Sequence, residues 1–170
     1  ASFPQNVGQL PYSYIHENTG RPLEKGKWFE KFHSDYLDVS NDMLYPFGYG
    51  LSYTTYKYGD ITLSANRMNK NGSITASVTV TNTGKRDGEE IVEMYLQQMV
   101  GSVARPTKEL KGFKRIHLNA GESKRVYFTV TPDLLKFYNG NLQHVAEQGE
   151  FKVMIGSDSE TLKSQSFRLE

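Results

Sequence analysis

The chain changes character near residue 55. Downstream, hydrophobic and polar residues alternate with period two; upstream no such rhythm is sustained. In Ser73-Ile74-Thr75-Ala76-Ser77-Val78-Thr79-Val80-Thr81 every even position is apolar and every odd one is Ser or Thr. Successive side chains of an extended strand point to opposite faces, so this segment predicts a strand with one buried and one wet face. Val92, Met94 and Leu96 repeat the pattern, and Phe113 to Leu118 follows it less cleanly. Val126, Phe128 and Val130 mark another inward face, Phe151, Val153 and Ile155 a further one, and Phe167 and Leu169 the last. Turn residues stand between these runs: Thr83-Gly84, Asp87-Gly88, Asn119-Ala120-Gly121-Glu122 and Thr131-Pro132-Asp133. Asn139-Gly140 is placed to centre a hairpin turn. Asp133 is placed to cap a short helical turn reaching Phe137. About seven strands at intervals of roughly ten residues predict an all-β, immunoglobulin-like antiparallel sandwich. No helix is long enough for a βαβ unit.

The first 55 residues are rich in Pro, Gly, Asn and Tyr. Gly8 to Ile15 reads as a short strand, with Pro11 confining it to an edge or a bulge. Asn18-Thr19-Gly20-Arg21-Pro22 reads as a turn, and residues 23 to 43 as a loop packed on something larger. The expected division is therefore an irregular extension and linker over 1–55 and a β-sandwich over 56–170. A start at Ala1-Ser2-Phe3-Pro4, without Met, reads as a piece of a longer polypeptide.

Composition narrows the function classes. Lys plus Arg number 20 against 19 Asp plus Glu, so the net charge of +1 gives no polyanion-binding surplus and no nucleic-acid partner is expected. No apolar run approaches a membrane-spanning length. With no cysteine, disulfides, thiolate catalysis and Cys-based zinc sites are excluded.

Leu44-Tyr45-Pro46-Phe47-Gly48-Tyr49-Gly50-Leu51-Ser52-Tyr53-Thr54 resembles the segment that leads into the last domain of family 3 glycoside hydrolases. Arg105-Pro106-Thr107-Lys108-Glu109-Leu110-Lys111-Gly112-Phe113 resembles a stretch of their fibronectin type III-like domain. Val78 to Gly84 with Gly88, and Gly149 to Gly156, are similar to its early and late strands. Phe3-Pro4, Val7 to Pro11 and Asn18 to Pro22 resemble the end of the preceding α/β-sandwich domain, although Gln5-Asn6 departs from the family pattern. The resemblance implies a fibronectin type III-like β-sandwich with an N-terminal irregular extension, from a periplasmic or secreted bacterial β-glucosidase. It also implies that the nucleophilic Asp lies on an upstream barrel and the acid/base on the α/β-sandwich domain. The implied partners are those upstream catalytic domains of the same polypeptide.

The residues themselves agree that chemistry is sparse. A retaining glycosidase needs two carboxyl groups about 5–5.5 Å apart on a rigid frame. Asp35, Asp38 and Asp42 share one loop and read as solvated turn carboxylates; Glu89-Glu90 opens a strand and reads as surface. His16, His33, His117 and His144 are scattered without metal-pair spacing, and no metal or cofactor is expected. No Gly-x-Ser-x-Gly elbow and no phosphate-cradling loop occurs. Lys108, Lys111, Lys114 and Arg115 are expected on a wet face or a sheet edge. The aromatic residues are the candidates for contact: Trp28, Tyr36, Tyr45, Phe47, Tyr49 and Tyr53, with Tyr56 and Tyr58 beyond them. Such rings can clamp a linker between domains or stack on sugars. The expected role is therefore an interdomain-packing module without catalytic residues. The rival is an autonomous carbohydrate-binding module. A lone strand within residues 1–22 would leave backbone groups unpaired, so that segment is expected on the sandwich or in a homodimer.

Overall fold

The computed structural model describes residues 45–170. The expected strand at 8–15, the turn at 18–22, the dimer through 1–22, and Trp28, Tyr36, Asp35, Asp38 and Asp42 lie outside the described residues. Within them the elements run β1 (Tyr56–Tyr58), β2 (Thr62–Leu63), β3 (Arg67–Met68), β4 (Ile74–Asn82), β5 (Gly88–Gln98), β6 (Glu109–Leu118) and β7 (Ser123–Val130). Helix α1 (Pro132–Leu135), β8 (Phe137–Tyr138), β9 (His144–Val145), β10 (Gly149–Gly156) and β11 (Leu162–Leu169) complete them.

The architecture is a two-sheet β-sandwich, as the alternation requires. In the first sheet β4 pairs with β7 along one side and with β1 and β2 along the other. The second sheet has the order β3-β11-β10-β5-β6. Between them lie Ile74, Ala76, Val78 and Val80 of β4, Val92, Met94 and Leu96 of β5, and Val126, Phe128 and Val130 of β7. Phe151, Val153, Ile155, Phe167 and Leu169 close the core from β10 and β11. Every inward residue named from the sequence in these strands is buried. One pairing departs from an all-antiparallel sandwich: β3 runs parallel to the end of β11.

Two local expectations need correction. Thr131, not Asp133, occupies the N-cap position of helix α1 and makes no side-chain capping bond; Pro132 in the first turn needs no N–H partner, and Asp133 pairs instead with Lys136. The β8–β9 hairpin is wider than Asn139-Gly140 alone suggests. The Asn139 carboxamide accepts from the N–H groups of Asn141 and Gln143, and Leu142 takes a positive φ of 59°. An Asx turn thus replaces the two-residue turn.

Candidate functional site

The connector ahead of β1 is fastened to the second sheet. Pro46 to Tyr49 form a turn, with the Tyr49 N–H donating to the Pro46 carbonyl at 3.1 Å. The Phe47 carbonyl accepts from the Ser159 N–H at 2.8 Å. Gly48, at φ 84°, stands over the carboxylate of Glu93 on β5; a Cβ there would fall 2.5 Å from Oε2. A Cβ at Gly50 would meet nothing nearby, so the close approach is confined to Gly48.

Ser159 belongs to the β10–β11 loop, which Asp158 holds rigid. Burial opposes the Asp158 charge, but the N–H groups of Thr161 (2.7 Å) and Glu160 (2.9 Å) outweigh it, and the carboxyl titrates below its usual range. The Ser159 carbonyl accepts from Lys108 Nζ at 2.6 Å, and Lys108 also pairs with Glu160 at 2.9 Å. One residue therefore receives two of the sequence segments that carry the family resemblance.

Arg105 explains the second of those segments. Its guanidinium donates to Gln98 at 2.9 Å and to Glu109, and lies 4.2 Å from the centre of the Phe137 ring. Such fork geometry suits arginine and not lysine. Burial resists the Glu109 charge, but Lys111 and Arg105 reverse that and lower its pKa. Lys114 sits over the Phe128 ring and Arg115 pairs with Glu89, so the basic set is engaged along the edge strand β6.

The acid expected at the surface, Glu90, is half-buried and accepts from the Tyr58 hydroxyl at 2.7 Å. Glu93 is only 6% exposed and accepts from Tyr95 at 2.5 Å. Burial raises both carboxyls above their usual range, aided by the nearby Asp158 charge. Burial likewise pushes the Tyr58 and Tyr95 phenols well up. Each carboxylate is thus spent on a structural phenol. Glu90 also borders an open cleft of about 420 Å³ with Ser52, Tyr56, Tyr58 and Lys163. Among the described residues no group of three His, Asp or Glu is arranged to hold a metal. His144 stacks on Tyr138, and among the described residues no helix is long and apolar enough to cross a membrane.

The sequence reading missed Asn82. Fully buried, it accepts from the Thr54 hydroxyl at 2.6 Å and from the Gly84 N–H at 3.0 Å. Its amide donates to the carbonyls of Arg86 (2.7 Å) and Leu118 (3.1 Å). It ties the connector to β4 and to the end of β6. Its one signal was a carboxamide ending an apolar alternation.

The expected contact rings divide. Tyr45 and Tyr49 stack on each other at 4.8 Å and stay partly exposed, while Tyr53 is 93% exposed. Phe47 is half-buried, and Tyr56 and Tyr58 pack against the core.

Residues 90–159 match the fibronectin type III-like domain. A periplasmic beta-glucosidase of Salmonella typhimurium is 51% identical over 99% of this chain and 22% of its own length. A putative beta-xylosidase of Formosa agariphila is 45% identical over 98% of this chain and 20% of its own. The crystal structure of a beta-glucosidase from Listeria innocua in complex with glucose superposes with a TM-score of 0.84 at 39% identity, over 99% of this chain and 23% of that one. This chain carries a fibronectin type III-like domain and is similar, along nearly its whole length, to one stretch of family 3 glycoside hydrolases. It spans about a fifth of the length of the curated relatives it matches. Two of the resembling segments, Tyr45 to Thr54 and Arg105 to Phe113, converge through Ser159.

Proposed function

We propose that this chain is the non-catalytic C-terminal packing module of a β-glucosidase whose upstream domains carry the nucleophile and the acid/base. The intact protein hydrolyses β-glucosides in the periplasm or outside the cell, and residues 1–55 link the catalytic body to the sandwich at 56–170. The observation that carries this reading is Ser159, which bonds the connector through its N–H and the Arg105–Phe113 segment through its carbonyl. A linker so fastened transmits position from one domain to the next. The buried carboxylates support the same reading, because Glu90 and Glu93 are committed to Tyr58 and Tyr95. A chromogenic aryl-glucoside offered to the 170-residue chain is expected to remain uncleaved, and turnover would overturn the proposal.

One observation favours the rival carbohydrate-binding reading: Tyr53 presents almost its whole ring to solvent. Titration with cellobiose or laminarin while following Trp28 fluorescence separates the two. The packing role predicts no change up to millimolar sugar, whereas saturable quenching would establish binding.

A further inference from the structure

The outward faces of the two sheets are unlike. That of the first sheet is mostly the wet one the alternation calls for, with Thr79 and Thr81 on β4, Arg125 on β7 and a single exposed ring, Tyr127. That of the second carries Ile91, Leu110 and Phe113, all exposed, with Phe113 at 66%. Register places them together. Phe113 is the cross-strand partner of Glu93, Ile91 lies two residues before Glu93 on β5, and Leu110 faces Tyr95. Tyr95 and its β10 partner Met154 share this face and are already buried. Gly48 covers Glu93 beside them, so the connector occupies part of the face and leaves the Ile91–Leu110–Phe113 patch open.

We propose that this patch is the docking surface for the folded domain that precedes the connector in the same polypeptide. The inference rests on the packing-module reading and names the surface it uses. The occupant follows from the path of the chain. The polypeptide reaches the sandwich over this face, with Phe47 bonded to Ser159 and Gly48 seated on Glu93, so whatever precedes Tyr45 starts beside the patch. The relatives are about five times as long as this chain, which supplies a body large enough to cover it. The patch also has the anatomy of an interface, with an apolar centre and a charged rim where Arg115 pairs with Glu89. Phe113 and Ile91 supply the apolar centre.

Hydroxyl-radical footprinting of the full-length protein tests this. Tyr127 and Tyr138, exposed elsewhere on the sandwich, serve as internal references. The expected result is that Ile91, Leu110 and Phe113 are protected relative to both tyrosines, independently of protein concentration. Phe113→Asp should then abolish the protection at Ile91 and Leu110; if that variant does not fold, the wild-type footprint still decides. Protection that fades on dilution would place a second copy on the face and overturn the inference. Protection of Tyr127 in place of Phe113 would overturn this face while leaving the packing role standing. Equal modification of all five residues would remove both.

Discussion

Gly48 stands over the carboxylate of Glu93 with no space for a methyl group between them. The positive φ of Gly48 adds a second restriction, since an L-residue there costs about 1–2 kcal/mol. Gly48→Ala is therefore expected to lower stability by at least that amount and to expose Glu93. A urea midpoint equal to that of the wild type would show that the connector does not rest on β5.

Glu90 and Glu93 make stability depend on pH with a definite sign. Burial raises both above their ordinary value of 4.5, so the folded state holds their protons more tightly than the unfolded chain. Their contribution is fully present below that value and is lost as pH rises through the higher folded values. Glu90→Gln keeps an acceptor for Tyr58 and removes the titration. The variant should gain stability relative to wild type between pH 4 and pH 7, as read by thermal unfolding at both.

Asn82→Ala orphans several buried groups at once, among them the Thr54 hydroxyl and the Leu118 carbonyl. Each costs about 1–3 kcal/mol when left unpaired. Hydrogen exchange should accelerate at Gly84, which loses its acceptor, before it does so in β10.

Arg105→Lys keeps the charge but loses the fork to Gln98 and Glu109 and the stacking on Phe137. A loss of about 1–3 kcal/mol is expected from the broken charged hydrogen bonds, measured by chemical denaturation.

Val78→Ala and Phe128→Ala probe the core itself. Both side chains are buried between the sheets, and each truncation should cost roughly 2–5 kcal/mol. Midpoints unchanged by both would contradict the assigned strand faces.

The inward faces were legible in the sequence because alternation is a local signal. Val78 and Val126 needed nothing beyond their neighbours in the chain to declare their side, and register joins them across β4 and β7. Glu93 and Tyr95 were not legible. They occupy positions that a period-two template assigns to water, and their burial depends on a face that alternation alone leaves open to solvent. Asn82 was hidden for the same reason: its partners Thr54 and Leu118 lie 28 and 36 positions away. The candidate contact rings could be picked out by their density, but not sorted. Nothing local distinguishes Tyr53, which faces solvent, from Tyr58, whose hydroxyl is bonded to Glu90.

The parallel seam between β3 and β11 sets the order of events as the chain leaves the ribosome. Met68 accepts from the N–H of Glu170, and Arg67 pairs with the same residue 103 positions further on. β3 must therefore wait unpaired until β11 has emerged, while β4–β7 and β5–β6 can already pair. During that interval Met68 lacks the strand that covers its backbone, and this edge of the nascent domain is open to misassociation and to proteases.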